Sequence, residues 1–304
     1  MPDPYVSIII PTRNRPADLK RCLDRILPQR TDGDAMQILV GDDSDGHATA
    51  ELLGREFPSV QCLRGPRNGP GANRNTCARA ASGRWLIFLD DDCLPSPGLV
   101  AAYLQAMRDG GEEPDFFLAG PIYRSDEKRD SLLWEAPRNE KADFLPPSCN
   151  FAMPRRIFLA NHGFDERYRT AFEDIEFFAR LNILKIPVHF IPEAAVDHPS
   201  RPLPPPRTLA RRWESRVISS FDFGATIPQI LWLLPRHILL VILSRFRGRA
   251  LRFENLQAAA VFSAEFAIAL FQLPGWLAKY GRLPRSAFWE DQARKGNTPR
   301  RFGL

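Results

Sequence analysis

The sequence predicts an α/β domain on a mostly parallel sheet, followed by a helical region of different character. Three features carry that prediction. Short apolar runs alternate with helix-length segments from Tyr5 to Leu89. Polar clusters follow the ends of three of those runs. A proline-rich stretch, PSRPLPPP at 199–206, then separates this part from a basic segment and two long apolar stretches.

The opening MPDPYVSIII lacks a basic leader and a small-residue cleavage site, so Tyr5–Ile10 reads as a first strand rather than a signal peptide. Pro16 suits the first turn of a helix running to about Leu27. Strand and helix then repeat: Gln37–Val40 and Ala48–Glu56, Val60–Leu63 and Gly71–Ala81. Trp85–Leu89 is a continuous apolar run, the pattern of a strand buried on both faces, and Pro95 and Pro97 stop it from continuing. Ligands of open α/β sheets sit beyond the carboxyl ends of strands, where Pro11–Asn14, Asp42–Asp45 and Asp90–Asp92 all fall. The polar, irregular stretch 124–147 is long enough for a mobile lid, or is a surface excursion. A strand at Cys149–Met153 and a helix from Arg155 follow. Glu173 and Asp174 open an apolar-periodic helix (Ile175, Phe178, Leu181), where acids also offset the macrodipole.

With 304 residues and 44% hydrophobic side chains, the chain has the composition of a globular protein of one large or two ordinary domains. Its five cysteines (Cys22, Cys62, Cys77, Cys93 and Cys149) form no CxxC pair, so neither a zinc ribbon nor a disulfide framework is suggested and a reducing compartment fits best. Residues 1–200 carry 24 basic and 30 acidic side chains, a net of −6, whereas 201–304 carry 17 and 6, a net of +11. A basic tail on an acidic body suits nucleic acid or an anionic membrane surface, or is a solvated face. Within it, Ile227–Leu243 is interrupted by Pro228, Pro235, Arg236 and His237, and Leu256–Leu277 carries Glu265 near its middle. A charge at a bilayer centre costs at least ~2.5 kcal/mol. Both stretches therefore read as helices packed on the first domain or lying in a membrane interface.

The acid run in RWLIFLDDD needs its own explanation, because three adjacent anions repel one another unless a positive partner offsets them. It is a solvated turn, or it is a site for a hard divalent cation that also holds a diphosphate. If the backbone stays extended, Asp90 and Asp92 face one side and Asp91 the other.

At this point the chain from about Val6 to His198 resembles the family 2 glycosyltransferases, inverting enzymes of the GT-A fold. VSIIIPTRNRPADLKRCLDRIL resembles their opening strand, turn and helix, and QILVGDDSDG their second strand ending in paired acids. NGPGANRNTCARAASGRWLIFLDDD is similar to their segment from Ala-Arg-Asn-x-Gly to Asp-x-Asp, with Asn73 and Cys77 in place of the usual Ala and Gly. EDIEFFARL resembles their Glu-Asp motif. The resemblance implies a metal-dependent transfer from a nucleoside-diphosphate sugar to a hydroxyl of a saccharide or lipid-linked acceptor, in surface polysaccharide or glycan assembly. It implies that Asp90, Asp92 and His198 hold Mn or Mg, and that Asp174 is the catalytic base with Glu173 as the second candidate. It further places Pro11, Thr12, Asn14, Asp43, Arg74 and Asp91 on the nucleotide sugar and Asn150 beside the acceptor. Arg74 as a buried counter-ion to Asp42 or Asp43, and Asn150 as a structural amide, are the plainer readings.

The expected organisation is a GT-A domain over 1–200, its nucleotide-sugar half at about 1–95 and its acceptor half at about 96–200. A basic, largely helical region follows at 201–304. The expected location is cytoplasmic, peripheral on the inner face of a membrane if the tail binds lipid. Three rivals are weaker. A nucleotidyltransferase would open with a glycine-rich basic loop, and IIIPTRNRP has no glycine. A non-catalytic subunit would have no need of Asp90, Asp92, Asp174 and His198 together. A nucleic-acid binder would leave the first half unexplained, so no nucleic-acid partner is expected.

Overall fold

The computed structural model describes residues 5–30, 36–112, 114–124, 126, 131–141, 145–247 and 253–296. Elements run β1 (Val6–Thr12), α1 (Pro16–Ile26), β2 (Met36–Asp42), α2 (Ala48–Glu56), β3 (Gln61–Arg64), α3 (Pro70–Ala80), β4 (Trp85–Leu89), β5 (Leu94–Pro95) and α4 (Leu99–Asp109). Next come β6 (Phe117–Ala119), β7 (Ile122–Tyr123), β8 (Trp134–Glu135), β9 (Asn150–Pro154), α5 (Arg155–Ala160), α6 (Glu173–Ile183), β10 (Val188–Phe190), β11 (Val196–Asp197) and β12 (Arg201–Pro202). Four helices close the chain: α7 (Pro206–Asp222), α8 (Ile227–Phe246), α9 (Phe253–Tyr280) and α10 (Ala287–Arg294). Of the irregular stretch 124–147, residues 125, 127–130 and 142–144 lie outside the described residues, as do the first four residues of the chain.

The chain divides into two compact units, one of residues 1–127, 136–169 and 173–200, the other of 128–135, 170–172 and 201–304. The first holds a seven-stranded sheet in the order β10-β6-β9-β4-β1-β2-β3. β1 pairs in parallel with β2 and β4, β2 in parallel with β3, and only β9 runs against its neighbours β4 and β6. All of β1 and β4 is buried, the burial that their continuous apolar sequence predicts. α1 and α4 cover one face, where Leu19, Leu23, Leu99 and Tyr103 join Val6, Ile8 and Ile87. The other face is aromatic: Phe88 stacks on Phe151 at 4.4 Å, and Phe158, Phe164, Phe177 and Phe178 pack around them.

In the second unit, α7 packs on α9, and Leu209, Trp213 and Val217 of the one and Phe262, Leu273 and Trp276 of the other are buried. Glu265 lies within this interior, 2% exposed, accepting a 2.7 Å hydrogen bond from Trp213 Nε1. The mid-helix charge therefore points inward. The prolines expected to interrupt the apolar stretches do not end the helices. Pro228 occupies the first turn of α8, where no N–H is required and Thr226 and Gln229 form a capping box; Pro235 and Pro274 sit inside continuous helix. Both α8 and α9 are long and apolar enough to cross a membrane, with mean hydropathy 1.6, and only 22% and 28% of their most apolar windows are buried. Trp232 and Phe271 are 73% and 87% exposed.

Candidate active site

The parallel strands β1, β2 and β4 end at one rim and deliver their following loops to it. After β1, Thr12 Oγ1 donates to Asp91 Oδ2 at 2.7 Å. Asn14 adopts φ 56°, a left-handed conformation that Asn tolerates, and exchanges hydrogen bonds with Asp45: its Nδ2 donates to Oδ2 and its Oδ1 accepts from the Asp45 N–H, both at 2.9 Å. Pro11 is buried in the β1–β2 ladder opposite Gly41. After β2, Asp43 is 4% exposed and accepts from the Arg67 N–H at 2.9 Å, while its own N–H donates to Thr12 O. Burial raises its carboxyl above the ordinary range. Gly65 lies against it so closely that a Cβ would come within 2.1 Å of Asp43 Oδ1.

β4 ends at Leu89, and the backbone turns at once, with the Cys93 N–H donating to Asp90 O at 3.1 Å. The extended alternation expected for Asp90–Asp92 is therefore replaced by a turn. Asp91 is fully buried and points back to Thr12 and to Arg15, whose Nη2 lies 2.7 Å from Oδ1. Burial pushes the Asp91 carboxyl up to about 7 although Arg15 and Thr12 pull it down. Asp90 and Asp92 converge with His198, one ligand atom of each lying within 4.8 Å of the others. His198 Nδ1 lies 3.1 Å from Pro199 O, to which it donates, and Nε2 lies 3.1 Å from Asp92 Oδ1, where a protonated ring donates to the carboxylate and a neutral ring offers a lone pair beside it. Two carboxylates and an imidazole converging in this way are a donor set that fits a hard divalent cation once the ring is neutral.

Two arginines offset the acids. Arg15 bridges Asp91 and Asp92, its Nη1 2.8 Å from Asp92 Oδ2. Arg74, 3% exposed on α3, places Nη2 2.5 Å from Asp90 Oδ1 and Nη1 3.1 Å from Glu173 Oε1. Its partners are thus Asp90 and Glu173, not Asp42 or Asp43. Gly71, one turn earlier, permits the approach, since a Cβ there would lie 3.2 Å from the Glu173 side chain. Arg74→Met strips the guanidinium that pairs with both buried Glu173 and partly buried Asp90, and a loss of about 3 kcal/mol of unfolding free energy is expected by denaturant titration. A loss below about 1 kcal/mol would mean that solvent reaches both acids.

Glu173 and Asp174 open α6 and differ in access: Glu173 is 5% exposed and held by Arg74, while Asp174 is half-buried. Asp174 accepts from the Ile175 N–H at 2.8 Å and the Ser148 N–H at 3.3 Å. Burial raises both carboxyls, Glu173 further through its anionic neighbour Asp174. Asn150, on β9, is fully buried with its amide committed: Oδ1 accepts from Tyr103 Oη at 2.9 Å, and Nδ2 donates to Pro121 O and Ala194 O. That is the structural-amide reading, and it leaves no group for an acceptor. Arg15 was missed in the sequence. The signal was there, since the loop after β1 shares its rim with the acid run and carries a second arginine in PTRNRP.

The Glycosyl transferase family 2 model matches residues 7–168. The chain is similar to the glycosyltransferase AglE of Haloferax volcanii, 32% identical over 97 residues, which is 30% of this chain and 32% of that one. It is also similar to the GalNAc(5)-diNAcBac-PP-undecaprenol beta-1,3-glucosyltransferase of Campylobacter jejuni, 29% identical over 112 residues, 35% and 36% of the two chains. The matches thus span about a third of the length of these curated relatives. Among solved structures, residues 1–349 of S. aureus TarS in complex with UDP align at TM-score 0.56 and 15% identity, over 96% of this chain and 92% of that one. A mannosyltransferase of Pyrobaculum calidifontis in complex with GDP-Man and Mn2+ aligns at 0.51 and 17%, over 97% and 80%. At these identities the structural likeness is one of fold.

Proposed function

The chain belongs to glycosyl transferase family 2, and on that premise we propose that it transfers a glycosyl group from a nucleoside-diphosphate sugar to a hydroxyl of a saccharide or lipid-linked acceptor. The transfer inverts the anomeric centre, uses Mn or Mg, and serves surface polysaccharide or glycan assembly. One observation carries the reading: a carboxylate–carboxylate–imidazole cluster is joined through Arg74 to a pair of raised carboxyls. The UDP-GlcNAc and GDP-Man bound to structural neighbours belong to the donor class that fits, and the UDP bound to another is the matching leaving group.

In this mechanism Asp43, with Pro11, Thr12 and Asn14, receives the nucleoside, and Asp90, Asp92 and His198 would hold the ion. The ion, when bound, neutralises charge on the departing diphosphate. Arg15 holds Asp91 and Asp92 in register, and Arg74 fixes Asp90 relative to α6. Asp174, the more accessible of the two acids, takes the acceptor proton as the oxygen attacks the anomeric carbon from the face opposite the leaving group. Burial makes it a stronger base than an ordinary carboxylate. The test is a screen of nucleotide sugars with Mn or Mg and acceptor, scored by released nucleoside diphosphate. Release that needs the ion supports the reading, and full release in excess chelator contradicts it.

The second unit is proposed to rest on an anionic membrane surface. From Asn255 to Ala278, α9 has Glu265 as its only charged residue, and that side chain is buried, so its exposed face carries no charge. The net charge of +11 over 201–304 supplies attraction to anionic lipid. Trp232→Ser or Phe271→Ser should weaken binding to anionic vesicles ~10-fold or more by co-sedimentation, with high salt weakening the wild type too. Unchanged binding in both variants would remove these side chains from the interface.

A further inference from the structure

We propose that Cys93, Cys149 and His198 form a second, thiophilic metal site, and that a soft divalent ion bound there takes His198 away from Asp90 and Asp92. Cys93 follows Asp92 in the turn after β4, and Cys149 immediately precedes Asn150, which pairs with Leu89 across the β4–β9 ladder. The ladder register thus brings the two cysteines together, and Cys93 Sγ lies 3.5 Å from Cys149 O. One ligand atom of each cysteine and of His198 lies within 4.8 Å of the others. Their exposures are 0, 2 and 0%. Tetrahedral zinc with S–metal bonds of about 2.3 Å places its sulfurs ~3.8 Å apart, so the trio needs to close by about an ångström at most.

Packing accounts for two small buried thiols. It does not account for an imidazole with a ring nitrogen within 4.8 Å of both sulfurs, its Nδ1 committed to Pro199 O and its Nε2 beside Asp92 Oδ1. The chemistry of the two donor sets differs sharply. Carboxylates with one imidazole suit Mg or Mn, whereas two thiolates with one imidazole suit Zn or Cd. On binding, each thiol releases its proton to solvent as an S–metal bond forms, nothing is oxidised or reduced, and two thiolates cancel the charge of the ion in a dry setting. His198 has a single nitrogen to offer, so the two sites exclude each other. A soft ion then acts as an inhibitor that removes one ligand from the hard-metal site. This consequence rests on the proposed role of His198 in that site, but the thiolate site itself does not.

The test uses full-length protein carrying Cys62→Ala, which removes the exposed thiol, titrated with Cd2+ alone and followed by near-ultraviolet thiolate-to-cadmium absorption. One equivalent is expected to bind. Cys93→Ala and Cys149→Ala should each weaken binding by more than the ~10- to 100-fold that outer-shell losses cost. If either alanine variant fails to fold by near-ultraviolet circular dichroism, the serine variant replaces it. In parallel, Cd2+ should abolish Mn-supported release of nucleoside diphosphate, excess Mn should not restore it, and Cys149→Ala should resist the same Cd2+ concentration. Absence of thiolate absorption, or absorption unchanged in Cys93→Ala, overturns the site. Thiolate binding with turnover intact overturns the sharing of His198. A protein with no transferase activity would fail the functional reading, while the cadmium absorption would still decide the site.

Discussion

Asp92→Asn is expected to lower metal-dependent turnover by ~10²- to 10³-fold while leaving the fold intact. The amide keeps the shape of the carboxylate but removes the charge that faces both His198 Nε2 at 3.1 Å and Arg15 Nη1 at 2.8 Å. Weaker metal binding should accompany the loss, because one of two anionic donors is gone from a three-residue set. Asp91→Asn differs in kind. Asp91 is buried against Thr12 and Arg15 and points away from the cluster, so its loss should fall on the position of Arg15 and leave metal dependence in place. Rates measured against Mn concentration separate the two. Equal loss of metal dependence in both variants would mean that the turn after Leu89 presents all three acids to the ion.

Asp174→Asn should lower the rate by ~10²-fold or more with donor binding nearly unchanged. The substitution removes basicity from the more accessible acid of α6 and keeps one acceptor oxygen, enough for the 2.8 Å bond from the Ile175 N–H, while the longer 3.3 Å bond from the Ser148 N–H is lost. A pH profile adds a second reading. A base works only when deprotonated, and burial raises this carboxyl, so wild-type activity should fall with acidification at a pH above the ordinary carboxylate value of about 4. The acidic limb should vanish from the residual activity of Asp174→Asn. If Glu173→Gln removes that limb instead, the base is Glu173 and Arg74 is its modulator. Given the 3.1 Å pairing of Glu173 with Arg74, its loss should appear first in stability.

The parallel sheet was legible because β1 and β4 are mostly apolar runs buried along their whole length, and because proline opens α1 and α3. Trp85–Leu89 and Ala48–Glu56 fall where periodicity places them, and β1 and β2 run two residues beyond the expected ends because their last residues still pair. The rim was legible too, since parallel strands deliver their C-terminal loops to one edge and chain order alone fixes which loops meet. Partner choice was not. Arg15 meets Asp91 and Asp92 more than seventy residues along, and Arg74 meets Glu173 on a helix a hundred residues away. No local pattern encodes such contacts; the first follows from the meeting of the β1 and β4 loops at the rim, and the second from how closely α3 approaches α6, which Gly71 permits. The turn at Asp91 was hidden for another reason, as nothing within DDD itself tells extended backbone from a turn. The direction of Glu265 on α9 depended on Trp213 of α7, a tertiary partner for a charge that reads as misplaced in the linear chain.

The proposed geometry is most directly tested by the stereochemistry of the first product. Asp174 as a base on the face opposite the leaving diphosphate permits a single displacement only. With an α-linked nucleotide sugar and a soluble acceptor, proton NMR of the isolated glycoside should therefore show the β-anomeric configuration. An α-linked product would contradict the account, since it would require two displacements or attack from the face of the leaving group.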